Sequence, residues 1–352
     1  MVAHMERTEG ADLNATKECS LQADFQYGFF TVTYSLVFIL GLPGNALALY
    51  YLCQSRQRSR SSNIFFVNLA AVDLFFISLL PFRIYYHNTG NHWIFGDVAC
   101  RITGALFYAN IYLSIGFFTC ISLDRYLAVV RPLLYVKLKY TRCSLILTVV
   151  IWITCSAIIL PLILGGRLDS TGNGMRTACF ENFSSSEWQN RLAPYNICAL
   201  IFGFLVPFTV VVVVFPLIAR RICKMKSSMH RKVALRIILF ILVVCIVCFL
   251  PYNVSHLLHF MMRLDIIQDC VLSTHIYKLR RITLALVSLN SCLNPALYFI
   301  PYLSRRLCAP YSKQTYNIQN GQPTNKDPNK IPSIGQQEPV VILGAKAEWA
   351  VL

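Results

Sequence analysis

Hydrophobic residues occur in seven long runs that alternate with short polar segments. The runs contain no Asp, Glu, Lys or Arg, apart from Asp73 in the second run. A bilayer core about 30 Å thick requires roughly 20 helical residues, and each run meets or nearly meets that length. The pattern therefore predicts an all-α membrane protein, a seven-transmembrane helix bundle. The predicted spans are 29–52, 63–82, 102–123, 143–166, 192–219, 237–262 and 282–304.

Basic residues between the runs predict how the bundle is oriented. They follow the first and seventh spans and also lie between the third and fourth and between the fifth and sixth. The positive-inside rule places these segments in the cytoplasm and the N-terminus outside the cell. Residues 1–24 contain no apolar stretch typical of a signal peptide. We therefore expect the first span to act as the insertion signal.

The composition supports a membrane location. Of 352 residues, 56% are hydrophobic and only 14% are charged, so a soluble domain of this sequence would be difficult to solvate. The net charge of +16 follows mostly from the basic cytoplasmic segments, and no nucleic-acid partner is expected.

Residues predicted to lie outside the cell carry two kinds of covalent modification signal. Asn14 and Asn182 begin glycosylation acceptor patterns, whereas a third match at Asn253 falls inside the sixth span, where the glycosylation machinery cannot reach it. Of 14 cysteines, four are predicted to face the oxidising side, and four cysteines allow three pairings. We favour one disulfide between Cys100 and Cys179 and another between Cys19 and Cys270.

Four small polar side chains lie inside the apolar runs. They are Asp73, Ser114, Asn290 and Asn294. Polar groups at membrane depth are costly, so they usually face the interior of a bundle and serve a function. Their distribution over three spans indicates a membrane protein that switches between states.

Several motifs in order along the chain resemble those of the rhodopsin-like G-protein-coupled receptors. They are Gly44-Asn45, Leu69–Asp73, Cys100, Asp124-Arg125-Tyr126, Trp152, Pro207, Cys248–Pro251 and Asn294–Tyr298. The resemblance covers residues 26–308. It implies an extracellular tail (1–25), a seven-helix receptor domain with a short cytoplasmic helix (26–308) and a disordered cytoplasmic tail (309–352). It also implies a multi-pass plasma-membrane protein that is not an enzyme. A heterotrimeric G protein, arrestin and receptor kinases are the expected partners.

The same resemblance implies how the switch operates. Asp124 holds Arg125 as a local ion pair until activation turns the arginine toward a G protein, and Tyr126 completes the motif. Residues near the proline kinks are expected to transmit the change, and they are Phe249, Pro251, Pro295 and Tyr298. The alternative is that these prolines are merely tolerated in membrane helices.

The intramembrane polar residues resemble the sodium pocket of the family. There, a carboxylate and neighbouring oxygen atoms hold a hard cation in the inactive state. Asp73, Ser114, Asn290 and Asn294 would supply these ligands, with sodium as an allosteric ligand and no other cofactor. The alternative is a hydrogen-bonded network with water and no ion.

Two features depart from the family. Phe215 stands where the family usually has a tyrosine, and the segment after Tyr298 keeps Arg305 and Arg306 but lacks the usual phenylalanine. Cys308 in that segment is a candidate palmitoylation site, with a free thiol as the alternative.

The outer ends of the helices are unusually basic for the outside of a membrane protein, which suggests an anionic ligand. Arg83 is the sharpest candidate, because an unpaired guanidinium in a span is costly; a salt bridge or snorkelling is the alternative. Tyr108 and Tyr112, one helical turn apart, are expected to line the same cavity, with simple packing as the alternative. The remaining candidate ligand-binding residues are Arg176, Asn253, His256, Arg280 and Arg281.

Further motifs resemble the purinergic-receptor-like branch, and within it the lysophosphatidic acid receptors most of all. Those motifs include Phe107–Tyr112, Pro81–Tyr85, Ala178–Phe183 and Phe249–Asn253. Leu284 occupies the position of a basic residue in many nucleotide receptors, so an acyl chain fits better than a nucleotide. The resemblance thus implies a receptor for an anionic lipid, such as lysophosphatidic acid. Nucleotide receptors and receptors for platelet-activating-factor-like or oxysterol-like lipids remain alternatives.

Overall fold

The computed structural model describes residues 23–54, 61–137, 140–164, 169–171, 177–179, 192–224 and 229–300. Within these ranges, seven helical stretches are long and apolar enough to cross a membrane, which confirms the predicted seven-helix bundle. We number them as spans 1 to 7. Their bounds are Phe25–Gln54, Asn63–Asn88, Gly96–Val130, Arg142–Leu160, Ala193–Cys223, Arg231–Arg263 and Cys270–Ile300.

Several helices extend beyond the predicted spans. Span 3 begins at Gly96 and ends at Val130, and the helix of span 2 continues to Asn88. Most of the predicted spans ended next to a charged residue, but a helix continues through charged residues where its ends leave the hydrocarbon core. The helices containing spans 2, 4 and 6 begin at Ser61, Tyr140 and Met229, the helix of span 4 runs to Leu164, and a short helix, Pro132–Lys137, follows span 3.

Proline shapes spans 5 and 6 in the same way. A π-helical turn, Ile201–Leu205, precedes Pro207, and a second, Cys245–Phe249, precedes Pro251. Proline has no N–H to donate to the carbonyl four residues earlier, and its ring crowds that carbonyl. A wider π turn relieves the crowding, so both helices bend at these points. The α-helical parts on either side are Ala193–Leu200, Val206–Cys223, Met229–Val244 and Leu250–Arg263.

The helix of span 7 is interrupted near its middle, and a side chain of span 1 donates a hydrogen bond to a carbonyl group left unpaired there. Its first helical part, Cys270–Ser288, ends in a turn at Leu289, and helix resumes over 290–300. Pro295 cannot donate to the carbonyl of Ser291. Asn45 of span 1 donates from Nδ2 to that carbonyl at 2.8 Å. The geometry of the proline break therefore depends on a side chain from another helix.

The outer end of the bundle carries a small hairpin. β1 (Asp169–Thr171) pairs antiparallel with β2 (Thr177–Cys179). A disulfide joins Cys179 to Cys100 of span 3, as predicted. The backbone N–H of Trp93 also donates to the carbonyl of Thr177 at 2.7 Å, so the hairpin is held over the helix ends by covalent and hydrogen bonds.

Some predicted modification sites cannot be compared with the structure. Cys270 is disulfide-bonded, but its predicted partner Cys19 lies outside the described residues. The glycosylation sites Asn14 and Asn182, the palmitoylation site Cys308 and the tail 309–352 also lie outside them.

A glycine allows spans 3 and 5 to approach closely. A Cβ atom added at Gly203 would lie 2.5 Å from Cδ1 of Tyr112, which is too close for a real contact. By contrast, a Cβ added at Gly28 of span 1 would meet nothing within 4 Å.

We predict that Gly203→Ala destabilises the receptor, because the added methyl group must displace the Tyr112 ring. Overpacking of this kind costs about 1–3 kcal/mol. The measurement is the thermal midpoint of the purified protein in detergent, with Gly28→Ala as the matched control. Equal midpoints for the two variants would contradict the close packing of Tyr112 on span 5.

Candidate functional site

A cavity opens toward the outer end of the bundle. Its empty volume is about 470 Å³, a figure that includes the open mouth. Spans 1, 2, 3 and 7 and the hairpin contribute the lining. The lining residues are Phe30, Tyr34, Arg83, His87, Gly104, Phe107, Tyr108, Cys179, Arg280, Arg281 and Leu284.

Three arginines make the cavity cationic. Arg83 is half-buried, and its guanidinium carbon lies 5.7 Å from the ring centre of Trp93. Arg281 is buried and donates from Nη2 to Oη of Tyr277 at 2.6 Å. Among the residues that the structure describes, neither Arg83 nor Arg280 has a carboxylate partner. The salt-bridge alternative for Arg83 is therefore not observed within the described chain, and aromatic rings support its guanidinium instead.

Arg101 lies in the same region, but its guanidinium group is held by partners within the protein. It forms an ion pair with Asp97 of its own helix, and its Nη1 donates to the carbonyl of Ile163 at 3.0 Å. The ion pair lies within span 3 and the hydrogen bond joins span 3 to the helix of span 4, so both contacts give Arg101 a structural role. The contrast makes Arg83 and Arg280 the principal candidate anion-binding groups.

The rest of the cavity wall is mainly aromatic and aliphatic. The ring of His87 stacks on Phe30 with centroids 4.5 Å apart, and its Nδ1 lies 2.8 Å from Oδ1 of Asn91. Phe107 and Leu284 add apolar surface. His87 was not predicted, although its position four residues after Arg83 places it on the same helix face.

The other predicted ligand-binding residues lie away from this lining. Tyr112 packs on Gly203, so only Tyr108 of the predicted pair lines the cavity. Asn253 donates to the carbonyl of Phe249 within its own helix at 2.9 Å. His256 pairs through Nε2 with Oδ1 of Asn196 on span 5 at 2.8 Å. Arg176 lies outside the described residues.

A polar cluster lies at the centre of the bundle around the fully buried Asp73. Its Oδ1 accepts hydrogen bonds from Asn110 Nδ2 at 3.0 Å and from Ser291 Oγ at 2.8 Å. Its Oδ2 accepts from Asn294 Nδ2 at 2.7 Å. Spans 2, 3 and 7 thus meet at one carboxylate. Asn110 and Ser291 were missed, although Asn110 lies one helical turn before the predicted Ser114.

The cluster has oxygen atoms left over that suit a hard cation. Oγ of Ser114 and Oδ1 of Asn294 are buried and have no hydrogen-bond partner within the described chain. Asp73 likewise has no basic partner among the described residues. Sodium takes carboxylate, hydroxyl and amide oxygens, so these residues fit the predicted ion. Asn290 contributes an oxygen that lies 2.9 Å from Ser291 Oγ.

The inner end of span 3 carries a buried ion pair. Arg125 Nη2 lies 2.9 Å from Asp124 Oδ2, and Tyr135 Oη donates to Asp124 Oδ1 at 3.3 Å. Tyr135 belongs to the short helix after span 3, so the pair links two helices. Separating the pair would leave an uncompensated buried charge, so the two side chains are expected to stay together in this state.

Two aromatic contacts lie between the central cluster and the inner end. Phe249 of the second π turn meets Phe118 of span 3 edge to face, with centroids 6.0 Å apart. Tyr298 contacts Phe66 of span 2 in the same way at 5.5 Å, and its hydroxyl is buried without a hydrogen-bond partner in the described chain.

An outward-facing cationic cavity, a polar centre and an inner ion pair on one seven-helix bundle define a transmembrane receptor. The family model described as 7 transmembrane receptor (rhodopsin family) matches residues 44–298. The chain belongs to that family of G-protein-coupled receptors. It is therefore a multi-pass plasma-membrane protein that signals through G proteins, and it is not an enzyme.

Similar proteins are found among receptors with different ligands. The chain is 34% identical to lysophosphatidic acid receptor 6 of Mus musculus over 80% of this chain and 83% of that protein. It is 36% identical to cysteinyl leukotriene receptor 2 of Homo sapiens over 85% of each. It is 32% identical to the uracil nucleotide/cysteinyl leukotriene receptor of Homo sapiens over 82% of this chain and 77% of that protein.

We predict that Asp124→Asn raises basal nucleotide exchange on the G protein, because the ion pair that holds Arg125 loses its charge. Tyr135→Phe removes only one hydrogen bond to Asp124 and should raise basal exchange less. The measurement is ligand-independent exchange in membranes with matched receptor amounts. Basal exchange equal to wild type in Asp124→Asn would show that the pair does not restrain Arg125.

Proposed function

We propose that this receptor is activated by an extracellular anionic lipid, with lysophosphatidic acid as the leading candidate. The observation that carries the proposal is the pair Arg83 and Arg280 in the outer cavity. Neither has a carboxylate partner within the described chain, and both are half-buried. Guanidinium groups in such a setting favour a phosphate or carboxylate that can accept several hydrogen bonds at once.

The cavity also suits the other parts of a lysophospholipid. Phe30, Phe107 and Leu284 provide apolar contacts for the start of an acyl chain. Tyr34 and Tyr108 add amphipathic aromatic surface to the same lining. A single-chain phosphate ester therefore matches both the charge and the polarity of the lining.

The names of the relatives support an anionic lipid as the ligand and indicate two other ligands to compare with it. One relative is named for lysophosphatidic acid, and two are named for cysteinyl leukotrienes, which are also anionic lipids. One is named for uracil nucleotides as well. A nucleotide would place a polar base or ribose against Leu284 and the aromatic wall, which makes it the weaker candidate.

We propose that the ligand acts by drawing three helices together. Arg83, Tyr108 and Arg280 belong to spans 2, 3 and 7. The same spans meet at Asp73 in the central cluster, so a shift at the outer end changes the geometry there. Altered packing near Phe249 then releases Arg125 toward the G protein. Arrestin and receptor kinases are proposed as the partners that end the signal.

We predict that lysophosphatidic acid stimulates nucleotide exchange in membranes that contain this receptor, and that Arg83→Gln or Arg280→Gln weakens its potency. Loss of a charge-assisted hydrogen bond costs about 1.5–3 kcal/mol, or roughly 10- to 100-fold in potency. Cysteinyl leukotrienes and uracil nucleotides are assayed in parallel. Arg125→Ala serves as the signalling-dead control.

Lys278→Gln is the matched control for charge. Lys278 is exposed on the same helix as Arg280, so its loss removes one positive charge without changing the cavity. We expect its dose–response curve to match wild type. Unchanged potency in both arginine variants would refute the headgroup assignment, and a response confined to nucleotides would refute the lipid class.

We also propose that sodium binds beside Asp73 and stabilises the inactive receptor. Ser114 and Asn294 would contribute oxygen ligands, and the ion supplies positive charge that the described chain does not provide to Asp73. Agonist binding is then expected to weaken when sodium replaces a large organic cation at constant ionic strength.

We predict that Asp73→Asn abolishes this effect, because the amide keeps the size of the side chain but removes its charge. The measurement is agonist affinity at several sodium concentrations in wild type and variant. Sodium sensitivity that persists in Asp73→Asn would support the water network instead of an ion.

A further inference from the structure

Three polar atoms near the outer cavity are buried and have no hydrogen-bond partner in the described chain. They are Oη of Tyr195, Oη of Tyr252 and Nδ1 of His256. Tyr252 has no exposed surface, and His256 is 7% exposed. Fewer than one buried polar atom in ten is normally left in this state, so three together require an explanation.

The orientation of His256 makes it a hydrogen-bond acceptor. Its Nε2 lies 2.8 Å from Oδ1 of Asn196, an atom that can only accept. Nε2 therefore carries the proton, and in the neutral ring Nδ1 offers a lone pair. Tyr252 stacks on the same ring, with centroids 5.5 Å apart and planes 9° from parallel. One acceptor and a tyrosine donor thus lie side by side on span 6.

The second tyrosine joins this group from span 5. Tyr195 directly precedes Asn196, the hydrogen-bond partner of His256, and it packs against the hydrophobic cluster that contains Tyr252. Tyr195 meets Tyr108 edge to face, with centroids 6.4 Å apart. Tyr108 also lines the arginine cavity, so its ring separates that cavity from the group. The polar group is therefore adjacent to the cavity, on the side of spans 5 and 6.

We propose that Tyr195, Tyr252 and His256 form a second subsite that binds a hydroxyl group on the chain of the ligand, so that the receptor selects an oxygenated anionic lipid. A hydroxyl suits the subsite because it donates to His256 Nδ1 and accepts from a tyrosine in the same position. A plain acyl chain leaves all three atoms unsatisfied. This inference rests on the proposed activation by an anionic lipid, which places the head at Arg83 and Arg280.

The test compares lysophosphatidic acids that share one chain length and differ only in the position of a single chain hydroxyl, with the unsubstituted chain as reference. In the wild-type receptor, we expect one positional isomer to be roughly 10-fold more potent than the reference, as one well-formed hydrogen bond allows. Tyr252→Phe should remove that advantage and leave the potency of the unsubstituted lipid unchanged. Tyr85→Phe is the matched control, because Tyr85 is 42% exposed and does not line the cavity.

The outcomes separate this inference from the proposed function. A response to the unsubstituted lipid with no gain from any hydroxylated isomer overturns the subsite and leaves the lipid receptor standing. A hydroxyl advantage that survives in Tyr252→Phe also overturns it. Silence toward every lipid of the series overturns both proposals.

A measurement without ligand tests directly whether the Tyr252 hydroxyl lacks a hydrogen-bond partner. Replacing a buried hydroxyl that has no partner by hydrogen removes an unfavourable group, so Tyr252→Phe should keep or raise the thermal midpoint of the purified receptor. Tyr135→Phe, whose hydroxyl donates to Asp124, should lower it. A drop in Tyr252→Phe as large as that in Tyr135→Phe would show that the Tyr252 hydroxyl is already hydrogen-bonded, and the subsite would be refuted.

Discussion

Helices inside a bilayer gain no hydrophobic driving force from burying apolar side chains against one another, because lipid tails are equally apolar. Close packing and polar contacts between helices therefore fix the bundle, and here the polar contacts converge on the Asp73 carboxylate. Asn110 and Asn294 donate to it from spans 3 and 7. Asn45 of span 1 reaches the carbonyl of Ser291, whose own hydroxyl also donates to Asp73. Four helices are thus joined around one buried group, and displacing any of them breaks a hydrogen bond in this network.

The helices that meet there differ in stiffness. Span 3 has no internal proline and carries Tyr108, Asn110 and the Asp124–Arg125 pair on one continuous helix from Gly96 to Val130. Spans 5 and 6 each contain a π turn and a proline, so their inner halves can move relative to their outer halves. A rigid central helix and two deformable neighbours explain how a change at the outer cavity reaches the cytoplasmic end without unfolding the bundle.

The sequence predicted what depends on local composition and missed what depends on packing. The number of spans follows from hydrophobic length, which is a local property, and the Cys100–Cys179 disulfide was among the few pairings available. Helix ends were missed because a charged residue does not end a helix outside the hydrocarbon. Asn110 could not be chosen over other polar residues until span 3 was placed against span 2. Likewise, Tyr108 and Tyr112 lie one helical turn apart on span 3, so the sequence does not show which of them faces the cavity. The close approach of Gly203 to the Tyr112 ring shows that Tyr112 faces span 5 instead.

Without a ligand, the charges in the outer cavity lower the stability of the folded receptor. Packing in the rest of the bundle must offset this free-energy cost. Arg83 and Arg280 bring two positive charges into a half-buried space with no carboxylate partner in the described chain. Aromatic rings compensate only in part, since a ring face attracts a guanidinium less strongly than an anion does. An anionic ligand removes this penalty, and its binding free energy is added to the stability of the state that binds it best. Because the arginines lie on spans 2 and 7, which also hold the Asp73 cluster, binding of the proposed ligand would be coupled to rearrangement of the polar centre. In the proposed function, the ligand charge is therefore part of the switch as well as the basis of recognition.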